Sequence, residues 1–157
     1  MLQVASYVYH IQAPVHQVFA YLADLENFAD WFPGVKSVNA VGEKAFLGIG
    51  KEYIEQVSVP LLGTKEVRIQ VTQFKKNSIL VTEGDLQPLL PRMCIKVEQQ
   101  QEQTRVEWSM YSRNGNRVFQ LSFLPVIQKI MQSRAELAEE RLLEVFSSPG
   151  AWVSGGR

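Results

Sequence analysis

The chain has 157 residues, 46% of them hydrophobic, with 16 Lys plus Arg against 16 Asp plus Glu and a single cysteine. That length suits one domain around one core, and a net charge of zero offers no overall field for nucleic acid or an anionic membrane. One cysteine, Cys94, excludes an internal disulfide framework and suits a reducing compartment.

The start, Met1 to Tyr7, lacks the basic opening and apolar run of a signal peptide, so the expected location is cytoplasmic. The most hydrophobic window, Phe119 to Met131, is interrupted by Gln120, Pro125, Gln128 and Lys129. It falls short of the roughly 20 apolar residues of a spanning helix, and no stable membrane insertion is expected.

Leu2 to Gln12 reads as a strand, with Ala5, Tyr7, Tyr9 and Ile11 alternating against Ser6, Val8 and His10. Pro14 opens a helix whose apolar face is Val15, Val18, Phe19 and Leu22. Asp24 caps a second short helix, Leu25 to Trp31, which closes at Phe32-Pro33-Gly34. Six further strands follow, Val35 to Glu43, Ile49 to Val59, Thr64 to Lys75, Ser78 to Asp85, Pro91 to Gln101 and Arg105 to Arg113. Their connections are of hairpin length, so neighbouring strands run antiparallel.

Arg117 to Phe146 reads as a lead-in segment and then the main helix from about Pro125. Phe123, Ile127, Ile130, Met131, Leu137, Ala138, Leu142 and Val145 are assigned to its dry stripe. Ser147-Ser148-Pro149-Gly150 stops it, giving a domain of residues 1–147 and a tail of 148–157. The predicted class is α+β: a seven-stranded curved antiparallel sheet wrapped around a long C-terminal helix. Val67, Ile69 and Val71, then Met93, Ile95 and Val97, then Val106, Trp108 and Met110 form the dry sides of their strands.

Ile11-Gln12-Ala13-Pro14, followed by Val18-Phe19, Leu22 and Asp24 and then by Phe28, Trp31, Phe32 and Pro33, resembles the START-like superfamily of helix-grip proteins. The resemblance spans residues 2–146 and is strongest to the bacterial branch of polyketide cyclase/dehydrase and lipid transport proteins, often called SRPBCC. It implies a deep apolar cavity between sheet and long helix, with the short helices near its mouth. Because this fold hosts carriers, enzymes and regulators, it does not specify a chemistry.

Three large rings within five positions, Phe28, Trp31 and Phe32, are too many for one helix face to bury in a plain core, so some are expected to line a pocket or its lid, the alternative being that they plug one end of the sheet. The expected ligand-lining set adds Tyr53, Ile69, Val71, Val81, Met93, Ile95, Trp108, Met110, Ile127, Ile130 and Met131. Glu55 and Tyr53 are the catalytic candidates. If Ile49, Tyr53 and Val57 point inward, so do Lys51 and Glu55, and a buried Glu55 could serve as general acid or base; a slip of one residue makes it a solvated side chain.

No hydrolase, phosphate-loop or metalloprotease signature is present, and Gly48-Ile49-Gly50 reads as a bend before a strand. His10 and His16 fall on surface positions, and Cys94 on the outer side of its strand, so neither a metal site nor a nucleophile is read there. No cofactor and no nucleic-acid partner is implied. The leading expectation is a carrier or sensor of one hydrophobic small molecule, such as a lipid, isoprenoid or aromatic polyketide. The alternatives are a cyclase/dehydratase-type enzyme and a protein-partner-binding module.

Overall fold

Alternation of apolar and polar residues sets the architecture. The computed structural model describes residues 1–43 and 46–147. Its strands are β1 (Leu2–Ile11), β2 (Val35–Val41), β3 (Glu52–Val59), β4 (Gly63–Lys75), β5 (Ile79–Gly84), β6 (Pro91–Gln100) and β7 (Gln103–Ser112). They form one antiparallel sheet in the order β1-β7-β6-β5-β4-β3-β2. The chain therefore leaves the sheet at one edge, β1, and returns at the other, β2.

It makes that crossing through α1 (Val15–Ala23), a 3-10 turn (Leu25–Asn27) and α2 (Phe28–Trp31). The Asp24 side chain accepts from the Glu26 N–H at the head of the turn. Asn27, fully buried, donates to the Tyr21 carbonyl and ties α1 to the turn that follows it. From β2 onward every connection is a hairpin that meanders back toward β1. The tips use left-handed backbone at Leu61, Asn77 and Gln101, with Gly63 completing the first of them.

Two helices close the described chain, α3 (Arg117–Ser122) and α4 (Leu124–Ser147). Asn116 caps α3 by accepting from the Phe119 N–H. Pro125 lies in the first turn of α4, where its missing N–H costs nothing. The buried positions of α4 are Leu124, Ala135, Ala138 and Leu142, which repeat at helical spacing. Phe123 and Leu137, expected on that stripe, are 63% and 61% exposed. The helix faces the sheet through the narrower stripe that runs by way of the two alanines.

Those alanines let α4 approach β1 closely, and polar groups fasten the two together. Tyr9 donates its hydroxyl to the Ala135 carbonyl at 2.7 Å, and Tyr7 donates to Glu139 at 2.9 Å. Gln132 accepts from the Ser6 N–H and donates to the Ser6 carbonyl, while Gln128 donates to the Gln3 carbonyl. Backbone groups of Gln3 and Ser6, which on an edge strand would otherwise invite another chain, are thus occupied by the helix.

The concave side of the sheet carries the core, with Val67, Val71, Met93, Ile95, Val97, Val106 and Trp108 buried as the alternation predicts. In β1 both Val4 and Ala5 are buried, because a register shift between Gln3 and Ala5 interrupts the alternation. The third strand begins at Glu52 rather than Ile49: Gly50 takes φ +94°, and Ile49 is 65% exposed. The segment expected as a tail, 148–157, lies outside the described residues.

Candidate functional site

The register of β3 decides what the interior contains. Tyr53 and Glu55 are both buried, and so is Lys51 just ahead of the strand, which settles the two readings left open by the sequence in favour of an inward Glu55. Glu55 stands opposite Val38 on β2 and Val67 on β4, both buried, so its carboxyl projects into apolar surroundings.

In front of it opens a cavity of about 670 Å³. One wall is the first half of α4, with Ile127, Ile130, Met131 and Arg134. Opposite lie the β3–β4 hairpin, from Val57 to Leu62 with Lys65, and the β5–β6 loop, from Leu86 to Leu89 with Pro91. Phe28, Phe32, Val35 and Met110 complete the lining. Leu61, Leu62, Phe123 and Val126 belong to this lining and are largely exposed, so the apolar surface continues out to the rim.

A second chamber of about 40 Å³ lies behind the first, lined by Leu25, Val38, Val67, Ile69, Thr82, Gly84 and Met93. Phe28, Glu55, Pro91 and Met110 border both chambers, which puts Glu55 at their junction. The inner space can take a few water molecules and nothing as large as a ring.

α2 supplies the aromatic wall. Phe28 and Phe32 stack at 5.0 Å with 22° between their planes, and Phe32 leans on Trp108 at 5.0 Å. Trp31 packs edge-on against Phe28, Phe32 and Tyr9. The rings of this cluster that meet the void are Phe28 and Phe32, and Trp31 and Trp108 back them from the core.

Arg134 is held on two sides. It donates to the Ser58 carbonyl at 2.8 Å, and its guanidinium lies against Gly34, whose own carbonyl accepts from the Ser58 N–H. Burial lowers the Arg134 pKa, and the charge of Glu55 opposes that. Burial pushes the Glu55 carboxyl up to about 7, partly countered by Arg134. Among the described residues no ion pair joins the two. Both line the larger cavity.

Of the lining residues expected from sequence, Phe28, Phe32, Ile69, Met93, Met110, Ile127, Ile130 and Met131 border one chamber or the other. Trp31, Tyr53, Val71, Val81, Ile95 and Trp108 border neither and are buried elsewhere. Val81 neighbours Thr82, which lines the inner chamber, so strand alternation turns Val81 to the opposite face. The Tyr53 hydroxyl meets the Leu25 backbone, and desolvation raises its pKa to about 12.

Arg134 escaped the sequence reading although it sits three and four residues beyond Met131 and Ile130, a cation interrupting an apolar stripe. Pro60-Leu61-Leu62 and Leu86 to Leu90 also carried a sign: they are apolar where turns are ordinarily polar. Glu83, Arg92 and Arg113 form an ion-pair cluster, Arg92 meeting Glu83 at 2.8 Å and Arg113 meeting it at 3.7 Å. His10 and His16 are exposed, and burial raises the half-buried Cys94 thiol. Among the described residues no cluster of three metal-ligating side chains exists, and no helix is long and apolar enough to cross a membrane.

Residues 3–146 match the family described as polyketide cyclase / dehydrase and lipid transport. No curated protein sequence matches the chain. Among solved structures, TTHA0849 from Thermus thermophilus superposes with a TM-score of 0.69 at 18% identity, over 89% of this chain and 94% of that one. The Zhui aromatase/cyclase from Streptomyces sp. R1128 gives 0.67 at 14% identity, over 95% and 98%. The di-domain aromatase/cyclase StfQ of the steffimycin biosynthetic pathway gives 0.68 at 14% identity, over 92% of this chain and 50% of that one. At such identities the likeness establishes the helix-grip fold alone.

Proposed function

The chain belongs to the polyketide cyclase / dehydrase and lipid transport family, and from that premise we propose that it binds one hydrophobic small molecule, a lipid, isoprenoid or aromatic polyketide, between the sheet and α4. The observation that carries this reading is the cavity of about 670 Å³, within the usual size of small-molecule sites and lined mainly by aliphatic, aromatic and methionine side chains. A guest there gains about 25 cal/mol for each Å² of apolar surface removed from water. Met110 and Met131 make the wall adaptable to its outline.

A direct test titrates the protein with fatty acids, quinones and polycyclic aromatics. Trp31 and Trp108 touch Phe28 and Phe32, so a bound guest is expected to change tryptophan emission. Unchanged emission together with no heat in calorimetry, across the whole panel, rejects the proposal.

A second reading rests on Glu55. A carboxyl with a pKa of about 7, in a cavity that Arg134 also lines, suits proton transfer at neutral pH. In a cyclase/dehydratase role the cavity would fold a reactive chain into one geometry, Glu55 would move a proton, and Arg134 would stabilise a developing enolate oxygen. The aromatase/cyclases among the structural neighbours keep this reading in view. Water loss from a bound β-hydroxy ketone, followed by mass spectrometry, distinguishes it from carriage; equal rates with the native protein and Glu55→Gln reject it.

A further inference from the structure

Charge is distributed unevenly in this molecule. The whole chain balances 16 basic residues against 16 acidic ones, yet the cavity lining carries two cations, Lys65 and Arg134, against the single carboxylate of Glu55. A cavity otherwise so apolar is an expensive place for an unpaired cation, because its attraction to a partner is strong there and its desolvation is not compensated. Arg134 spends one donor on the Ser58 carbonyl, and a guanidinium has five. Glu55 takes part in no hydrogen bond or ion pair with another described residue, and borders the cavity at the junction with the inner chamber.

Resting on the reading that the cavity holds a hydrophobic guest, we propose that this guest is an amphipathic carboxylate, its head group held by Arg134 and hydrogen-bonded by Glu55 in the acid form, so that it enters together with a proton.

The geometry favours an anion over a neutral alcohol. Arg134 and a protonated Glu55 each offer a donor to the cavity, and a carboxylate is an acceptor-only group that can use both at once. A second carboxylate placed beside an ionised Glu55 would repel it; a shared proton turns that repulsion into a hydrogen bond. Taking up that proton near neutral pH is cheap, since burial has already pushed the Glu55 carboxyl up to about 7. Other charges do not obscure this: β2 and β4 present Val38 and Val67 to Glu55, and Phe28, Pro91, Met93 and Met110 of α2, β6 and β7 line the same chambers. Arg134 of α4 is the charged group that acts on it, and Lys65 stands in the outer lining.

Calorimetry of the full chain with decanoic acid and with decan-1-ol tests this, run between about pH 6 and about pH 8.5 in buffers of different ionisation enthalpy. The acid is expected to bind more tightly than the alcohol by about tenfold or more at the acidic end. Above about pH 7 its affinity falls by up to about tenfold per pH unit, and the buffer dependence reports uptake approaching one proton. The alcohol's affinity stays flat. In Glu55→Gln the acid binds without proton uptake and without that slope, and in Arg134→Gln its advantage over the alcohol disappears. Acid binding by the native protein with no linked proton, or equal binding of acid and alcohol, overturns the inference and leaves the cavity reading standing. If neither ligand nor any member of the wider hydrophobic panel binds, the cavity reading itself fails.

Discussion

Glu55 and Arg134 line the same cavity, one from β3 and the other from α4, and each alters the other's proton affinity without a direct ion pair between them. The consequence for stability has a definite sign. The folded-state pKa of Glu55 is raised from 4.5 to about 7, so the folded protein holds this proton more tightly than the unfolded chain does. Its stabilising effect is complete below the unfolded value and is lost as pH rises through the folded one.

Between about pH 4.5 and about pH 7, this group alone is expected to lower the unfolding free energy by about 3 kcal/mol. Glu55→Gln, neutral at every pH, removes that slope and is more stable than the native protein at about pH 8. Urea unfolding at several pH values measures it. Parallel slopes for the two proteins would show that Glu55 is solvated in solution.

The contact of α4 with β1 makes a second prediction. Ala135 and Ala138 are fully buried where the helix meets the strand, and Tyr9 reaches the Ala135 carbonyl at the same place. Ala138→Leu forces extra methylenes into that seam and is expected to cost about 1–3 kcal/mol. Tyr9→Phe keeps the ring packing and loses one buried hydrogen bond, about 1 kcal/mol. Thermal melts that rank the two variants in the opposite order would place the tight point of the seam elsewhere.

The fold was readable because it depends on period two and on hairpin length, both local properties. Val67, Ile69 and Val71 alternate with polar neighbours over one strand, and no tertiary information is needed to pair it with the next. The site was less readable because it depends on distances between elements. Whether Trp108 meets a void or another ring is decided by where α2 places Phe32, and no pattern within β7 contains that. Glu55 turned on a one-residue register choice, which the left-handed backbone at Gly50 helps to set. Arg134 joins Ser58 across 76 positions of sequence, a separation at which periodicity says nothing.

Gly34 predicts a third outcome. Its φ of +88° favours glycine, and an added Cβ would come within 2.4 Å of the Arg134 guanidinium. Gly34→Ala is therefore expected to cost about 1–2 kcal/mol in backbone strain and to push Arg134 off the Ser58 carbonyl. Affinity for a carboxylate guest should fall more than affinity for the matching alcohol. An equal fall for both would mean that the damage is general loosening of the wall and that Arg134 is not the group being moved.

Filling the cavity separates ligand binding from every role of the outer surface. Ile130 lines the cavity from α4 and is only half-buried, so Ile130→Trp can project a large ring into empty space without displacing packed neighbours. Stability is expected to stay within about 1 kcal/mol of the native protein, because the penalty for overpacking arises only where space is already taken. Binding of any hydrophobic guest should weaken by about tenfold or more as its volume is removed, whereas a role carried by the outer surface would be unaffected. A melt and a calorimetric titration on one preparation decide the matter. Guest binding that survives the filled cavity would move the site off this wall altogether, since the tryptophan and the guest cannot share the volume beside Met131 and Ile127.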